Sequence, residues 1–564
     1  MRIRFRPNAV AMPPRCLAVS SVLFLALLGA GCGDYYRPVA QPIQGIQPSP
    51  VLGHSVIAIT TDGITDNHRG NGMASNIDTS GDSIEGNLRV GLAPAHAAVT
   101  PNGTKLYVAN SAEDTITANN TASPTVLAAK VSLPSSPTAQ ITQVTGNGST
   151  ATYTYTAGTG NFLVGDTVFV SGCTTAGFNG AFTVTAASGN SFSVSNSTSG
   201  ADNPESPGAQ AKAPNAVFLS TADNNNMYAA GYSTNSAYVI STSTNVVSAV
   251  VPVGLHPVAL AELPNLQQVY VANQGSGTIS VISTINNTVV QTIAPAAGAV
   301  PVWVTAKRDS SRVYVLDANG TIYDLNPLAA AVVGSTASVG AGANSLAFDP
   351  VLNRLYVTNP TNSQIGILDA GVDPPALLRV IDLSTAAAAV CSGCAPDAVT
   401  VLGDGSRAYV AAYQFAPGCA DDAGNPVNCV SSFVAVIDGL SATFKSVVPN
   451  VSSAPPVSTI STAPALSTTG CGLGGGPVPA VWQPGPARFR LSIVSSGGET
   501  NSNFKVYVGQ CDAGNVAVID TYPAHGNPAD TYAGITLPAA LSTFPPLSSG
   551  LPPLQNPVFL VAGP

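Results

Sequence analysis

The sequence contains very little charge. Lysine, arginine, aspartate and glutamate make up 9% of the 564 residues, whereas glycine and proline number 54 and 45. Few strong helix formers and many turn formers predict all-β structure. With 45% hydrophobic residues, the composition excludes disorder for most of the chain. Acidic residues outnumber basic ones by 29 to 20, so the surface repels nucleic acid and no nucleic-acid partner is expected.

Long apolar runs are also missing, apart from one at the N-terminus. Residues 1–31 combine a basic start with the stretch CLAVSSVLFLALLGAG, which is too short for a comfortable transmembrane helix and is typical of a signal peptide. The stretch leads into LLGAGC, which resembles the lipobox of bacterial lipoproteins. The resemblance implies that Cys32 is acylated and anchors the protein to a membrane of the bacterial cell envelope, facing the periplasm or the cell surface. An ordinary secretory signal cleaved nearby is the alternative, and both predict export.

A tyrosine-centred motif recurs along the chain, in forms such as KLYVAN, QVYVAN and RLYVTN. The four tyrosines from 228 to 356 are spaced 42, 44 and 42 residues apart, a period typical of four-stranded propeller blades. A single blade cannot bury both of its faces, so the units must stack, and stacking in a circle removes most exposed edges. The predicted core residues of the repeats are Tyr107, Tyr228, Tyr270, Tyr314, Tyr356, Tyr409 and Tyr507.

The repeats resemble those of a known family. TPNGTKLYVAN (100–110) and DPVLNRLYVTN (349–359) each join a turn sequence to the tyrosine strand, and VAVIDG (434–439) ends a later strand. These stretches are similar to the YVTN-type β-propeller repeats of bacterial and archaeal surface proteins. The resemblance implies the propeller fold, but it says little about function, because propellers support many unrelated activities.

The two ends of the chain predict how the ring closes. SVIAITTD and residues 73–91 look like later strands of a blade without a first strand, whereas NPVFLVAGP (556–564) looks like a first strand with nothing after it. Pairing the two ends builds one further blade and locks the ring. The strand count therefore favours eight blades, and seven, the commoner number for such repeats, is the alternative.

Three segments interrupt the pattern. Between propeller parts 54–131 and 213–564, residues 132–212 predict an inserted β-domain of four to six strands with linkers rich in proline, serine and alanine. This domain is either a binding appendage or a tolerated decoration. Residues 32–53 predict a Pro/Gln-rich tether, and residues 450–485 predict a long loop.

Seven cysteines remain besides Cys16 of the leader and Cys32, and disulfides are the default in an exported protein. The alternative for CSGC, a redox or metal site, lacks both the histidine of haem attachment and a second zinc ligand pair. Cys173 is left over and is expected to be a small buried apolar residue. The candidate bridges are Cys391–Cys394, Cys419–Cys429 and Cys471–Cys511.

The sequence predicts no catalytic motif, metal site or cofactor. His96 in PAHAAV and His256 in GLHPVAL occupy equivalent places in their repeats, at the entrance of the innermost strand. They are weak candidates for a site at one mouth of the channel, and packing in a turn is the alternative.

Three functions remain open at this point. The favoured hypothesis is a non-enzymatic envelope lipoprotein whose propeller binds a protein or glycan partner. An exported lactonase-like hydrolase is the second, because sugar-lactone hydrolases use related propellers. It requires carboxylates or histidines that converge on the channel. A structural or adhesive component of the envelope is the third.

Overall fold

The computed structural model describes most of the chain after residue 54. The signal segment 1–31, Cys32, the tether 32–53 and almost all of the loop 450–485 lie outside the described residues. No helix in the described ranges is long and apolar enough to cross a membrane. The described residues are 55–563 except 62–70, 80, 123–126, 158–159, 161, 205–207, 421–425, 449–458, 461–470, 472–487, 498–503, 513, 522–530 and 537–555.

Eight antiparallel sheets of short strands form the bulk of the structure. Helical structure within the described part is confined to α1 (Leu383–Ala386) and 3₁₀ turns at Ala176–Phe178 and Pro264–Leu266. The strands before the insertion are β1 (Ser55–Thr61), β2 (Asn71–Asp78), β3 (Ser83–Leu92), β4 (Pro94–Val99), β5 (Lys105–Asn110), β6 (Thr115–Asn120) and β7 (Leu127–Ser132). Those after it are β15 (Ala216–Ser220), β16 (Asn226–Gly231), β17 (Ser236–Ser241), β18 (Val246–Pro252), β19 (Pro257–Leu263), β20 (Gln268–Asn273), β21 (Thr278–Ser283), β22 (Thr288–Ile293), β23 (Pro301–Ala306), β24 (Val313–Asp317), β25 (Thr321–Asn326), β26 (Ala331–Ala337), β27 (Ser345–Asp349), β28 (Arg354–Asn359), β29 (Gln364–Asp369), β30 (Ala376–Asp382), β31 (Ala395–Val401), β32 (Arg407–Ala420), β33 (Pro426–Asp438), β34 (Thr443–Val448), β35 (Thr459–Ile460), β36 (Leu491–Gly497), β37 (Phe504–Gln510), β38 (Asn515–Asp520), β39 (Thr531–Thr536) and β40 (Asn556–Ala562).

The predicted eight-bladed propeller is confirmed, and the seven-bladed alternative is excluded. Blade 1 is β4–β7, blade 2 is β15–β18, blade 3 is β19–β22, blade 4 is β23–β26, blade 5 is β27–β30, blade 6 is β31–β34 and blade 7 is β36–β39. The short strand β35 pairs with β33 beside blade 6. The innermost strands β4, β15, β19, β23, β27, β31, β36 and β40 contact one another in turn, and β40 then contacts β4.

Blade 8 closes the ring from both ends of the chain. The C-terminal strand β40 is its innermost strand and pairs antiparallel with β1, which continues outward to β2 and β3. The pairing places Val56 opposite Ala562 and Ala58 opposite Leu560. Each blade therefore has a neighbouring blade on both of its faces, and this includes blade 8, which the two chain ends build together.

Strand direction gives the ring two distinct faces. Neighbouring strands of an antiparallel blade run in opposite directions, so every innermost strand begins at the same face. The insertion leaves at the end of the fourth strand β7 and returns at the start of the innermost strand β15, and we call this side the barrel face. The second strand β1 begins at the opposite side, where the Gly563 N–H donates to the Ser55 carbonyl at 2.9 Å. We call that side the tether face.

The seven repeat tyrosines lie in the second strands of blades 1 to 7, and each is 0% exposed. Several of them tie one blade to the next. In blade 1 the Tyr107 hydroxyl donates to Asn245 Oδ1 of blade 2 at 2.7 Å. In blade 7 the Tyr507 hydroxyl donates to Asp82 of blade 8 at 2.8 Å. Lysines two residues earlier, Lys105 and Lys505, contact the same turns. The tyrosine therefore supplies both apolar area and a polar link across the seam.

The insertion forms a small barrel with its own hydrophobic core. Its strands are β8 (Thr138–Asn147), β9 (Thr150–Tyr155), β10 (Thr167–Ser171), β11 (Gly180–Ser188), β12 (Ser191–Ser195), β13 (Ser199–Asp202) and β14 (Gln210–Lys212). Strand β8 pairs with both β9 and β14, so β8, β14, β10, β11, β12 and β9 close into a ring, and β13 pairs with β8 at its side. The seven strands exceed the predicted four to six, because β13 and β14 are too short to show alternation.

Asp114, in a barrel-face turn of blade 1, holds the base of the barrel. Its carboxylate pairs with Lys212 at 2.5 Å and accepts hydrogen bonds from Asn215 Nδ2 at 2.7 Å and from the Ser136 N–H at 2.9 Å. These partners lie on both linkers, and they hold the pKa of Asp114 below its usual value against the opposing effect of burial. The linkers are therefore fixed where they leave the propeller.

Candidate functional site

Aromatic side chains from four blades meet in the centre of the ring. His96, Phe218 and Trp303 lie two residues after the start of an innermost strand, and Phe559 lies three residues after the start of β40. Each follows a register shift in the pairing with the second strand. Such a bulge changes the direction of the side chain that follows it. The His96 ring lies 4.1 Å from Phe218 and 4.2 Å from Phe559 between centroids. Phe218 meets Trp303 edge-on at 5.6 Å although blade 3 lies between their blades, so these rings cross the channel.

The segment just before blade 7 completes this filling. The Arg488 guanidinium lies over the Trp303 ring at 4.5 Å and donates to the carbonyls of Val302 at 2.6 Å and Val258 at 3.2 Å. It therefore reaches across the ring to blades 3 and 4. Phe489 contacts Trp303 with a centroid distance of 6.0 Å. Arg488 and Phe489 are each 4% exposed, so the described part of the channel is packed at this level.

Burial determines the charge of the groups inside the channel. It lowers the pKa of His96 to about 3, with a smaller contribution from the positive charge of Arg488. The Leu219 N–H donates to His96 Nδ1 at 3.3 Å, which leaves the ring proton on Nε2. His96 is thus a neutral ring in an aromatic stack. Burial also lowers the pKa of Arg488 to about 9, and its carbonyl and π contacts favour the charged form.

A buried polar cluster fixes the segment that carries Arg488. Asp397 of blade 6 accepts the N–H groups of Arg490 at 2.6 Å and Leu491 at 3.0 Å. Burial raises the pKa of Asp397 to about 6, and these hydrogen bonds oppose the rise. The Arg490 guanidinium pairs with Asp512 and lies 5.2 Å from the ring centre of Tyr413. The cluster positions the chain that enters the channel.

The two candidate histidines have different aromatic partners, and no ring contact joins them among the described residues. His96 follows Pro94 by two residues and lies inside the channel, whereas His256 precedes Pro257 and lies in the turn before the strand, at φ 52°. The His256 ring stacks on Tyr232 at 4.4 Å. Asp166 of the barrel raises its pKa, but burial has the larger effect and lowers it overall. His256 therefore belongs to the seam between barrel and propeller.

The cysteines fall into three groups. Cys391 and Cys394 form a disulfide, as do Cys471 and Cys511, with Cα–Cα distances of 5.3 Å and 5.6 Å. Cys173 is a buried free cysteine in the barrel. Cys419 and Cys429 lie on strands whose side chains there are outside the described part. Within the described ranges, no three His, Cys, Asp or Glu side chains form a group that could hold a metal ion.

Sequence reasoning missed Arg488, Arg490 and Asp397. The available signal was RFR (488–490), two arginines around a phenylalanine in a chain with only 20 basic residues. Asp397 sits in an otherwise apolar first strand, APDAVTV, where a carboxylate needs hydrogen-bond partners. Neither signal lies in the tyrosine motif, and the repeat alignment therefore did not reveal them.

No protein-family model matches the chain, and no curated protein sequence matches it. Among solved structures, the chain is similar to hydrazine synthase from Kuenenia stuttgartiensis at 16% identity, with 55% of this chain and 78% of that chain covered and a TM-score of 0.36. A similarity of this size carries no information on activity, and the eight-bladed ring rests on the strand pairings themselves.

The burial of His96 between Phe218 and Phe559 predicts how the stability of the protein depends on pH. An unfolded histidine has a pKa of about 6.5, so the lowered pKa of buried His96 gives stability that is fully present above that pH and is lost as pH falls towards 3. His96→Phe keeps an aromatic ring and removes the titrating group. We expect its acid-unfolding midpoint, measured by circular dichroism, to shift to lower pH. His256→Asn, in a half-buried turn, should shift it much less. Equal midpoints for wild type and His96→Phe would contradict the assignment.

Proposed function

We propose that the protein is an exported lipoprotein, anchored through Cys32, whose propeller is a rigid platform for binding a protein or glycan partner. The observation that carries this proposal is the placement of two features on opposite faces of the ring. The described chain begins at Ser55 on the tether face, and the barrel joins the ring on the barrel face. The chain that follows a lipid anchor at Cys32 would therefore enter the propeller on the face opposite the barrel.

The barrel face offers an exposed surface for a partner. Leu163 and Val164, in the barrel loop before β10, are 57% and 66% exposed, and Leu255 in the turn before blade 3 is 52% exposed. Asp166 of the same barrel loop acts electrostatically on His256, so the loop and this turn lie close together. Exposed aliphatic side chains that cluster on one surface are typical of interaction sites.

The packing of the channel favours binding over the hydrolase alternative. A hydrolase needs accessible groups with suitable pKa values at one channel mouth. The described channel residues instead include a neutral His96 between two phenylalanines and an Arg488 held by backbone carbonyls and Trp303. These contacts hold the described channel side chains in fixed positions. Neither His96 nor Arg488 is therefore presented as a proton donor beside a cavity.

The anchor is tested by membrane fractionation of cells that express Cys32→Ser. We expect the wild type in the membrane fraction and Cys32→Ser in the soluble fraction, because the substituted side chain cannot take the thioether-linked lipid. Cys16→Ser, in the leader, is the matched control and should leave the protein in the membrane fraction. Membrane retention of Cys32→Ser would contradict the proposed anchor.

The binding surface is tested by photo-crosslinking in cells, with a photoreactive phenylalanine analogue at Val164 on the barrel. The control carries the analogue at Ile285, which is 74% exposed in a turn on the tether face. We expect a discrete higher-mass adduct from position 164 and none from position 285. Adducts from position 285 alone would place the partner on the opposite face and contradict the proposal.

A further inference from the structure

A single carboxylate breaks the repeat pattern at the seam between blades 2 and 3. Glu262 lies near the end of β19. It directly follows Ala261, which pairs with the repeat tyrosine Tyr270. Every other blade has a neutral residue at this position. These residues are Val99, Thr221, Ala306, Phe348, Val401, Ser495 and Ala562.

Glu262 faces a second carboxylate across the seam. It is 7% exposed, and its Oε2 accepts the Ala222 N–H of blade 2 at 2.7 Å. The Asp223 side chain lies within hydrogen-bonding reach of the Glu262 carboxyl. Oδ1 of Asp223 already accepts the N–H groups of Asn225 at 2.7 Å and Asn226 at 2.9 Å. Asp223 therefore has its other oxygen available for the partner across the seam.

A buried phenol adds a third oxygen. Tyr228 is 0% exposed, and its hydroxyl has no hydrogen-bond partner among the described residues. Burial raises the pKa of Tyr228, and the nearby charges of Glu262 and Asp223 add to the rise. The equivalent hydroxyls of Tyr107 and Tyr507 have partners in the next blade. A buried hydroxyl without a partner is costly, and this one lies beside two carboxylates.

No ion pair joins Glu262 to a lysine or arginine among the described residues, whereas Asp114, Asp324 and Asp512 each have one. Concentrated negative charge in a low-dielectric seam favours any cation that reaches it. The donors are all oxygen, which suits calcium better than a transition metal.

We propose that Asp223, Tyr228 and Glu262, which we call the acidic seam, bind a divalent calcium-type cation between blades 2 and 3. The two carboxylates balance its charge, and the phenol, water and nearby backbone carbonyls complete its coordination. Because only two of the ligands are charged, the expected dissociation constant is about 10⁻⁴–10⁻³ M, as in extracellular calcium modules. The bound cation joins the turn of blade 2 to the innermost strand of blade 3.

The test titrates calcium chloride into the exported protein by isothermal calorimetry and follows thermal unfolding in parallel. Wild type should bind one calcium ion at the acidic seam, and its Tm should rise with calcium concentration. Glu262→Gln and Asp223→Asn should lose both effects. Asp404→Asn is the matched control, because Asp404 occupies the same turn position in blade 6 and accepts the Ser406 N–H at 2.9 Å. It should keep the wild-type response.

Tyr228→Phe keeps the proposal testable if a carboxylate variant does not fold. It preserves the aromatic ring and removes the phenol oxygen, so we expect a folded protein with several-fold weaker calcium affinity. If wild type shows no binding heat at millimolar calcium, the proposal is overturned. A calcium-dependent rise in Tm that persists in Glu262→Gln would also overturn it, because the ion would then bind another acidic surface.

Discussion

The structure depends on one constraint: a four-stranded blade has two apolar faces and can bury them only between two neighbours. Seven blades follow one another along the chain, but the eighth exists only because β40 pairs with β1. Without that pairing, blade 8 loses its innermost strand and blades 1 and 7 each lose a neighbour. The repeat tyrosines are fully buried at the seams between blades, so each blade needs both of its neighbours. The stability of each blade is therefore a property of the closed ring, as expected for stacked repeats.

The centre of the ring is filled by residues from outside the repeat motif as well as within it. His96, Phe218, Trp303 and Phe559 extend inward from four blades, and Arg488 and Phe489 of the segment before blade 7 pack against Trp303. The barrel, fixed at its base by Asp114, occupies one face, and the chain enters at the other. The barrel and the entry of the chain at Ser55 therefore lie on opposite faces of the ring.

Much of the fold was predictable because it is periodic. The tyrosine spacing predicted blades, and the incomplete units at the two ends predicted closure and the count of eight. Features outside the period were not predictable. His96 and His256 looked equivalent in the sequence, but their different positions relative to Pro94 and Pro257 place one in the channel and the other in a turn. Arg488 acts through contacts with blades 3 and 4 that are distant in sequence. Glu262 is visible in the sequence as a carboxylate in an apolar strand. Its contact with Asp223 was not predictable, because Asp223 belongs to the neighbouring blade.

Ring closure is tested most directly by an engineered disulfide between β1 and β40. Val56 and Ala562 are opposite each other in the register, and the neighbouring Gly563–Ser55 hydrogen bond makes them a non-hydrogen-bonded pair with adjacent side chains. Val56→Cys with Ala562→Cys should form a bond under mild oxidation, detected by peptide mass mapping, and should raise Tm. Val56→Cys with Val561→Cys shifts one cysteine to the opposite sheet face and should stay unpaired. Free thiols in the first pair, or equal bonding in both, would contradict the closed eight-bladed ring.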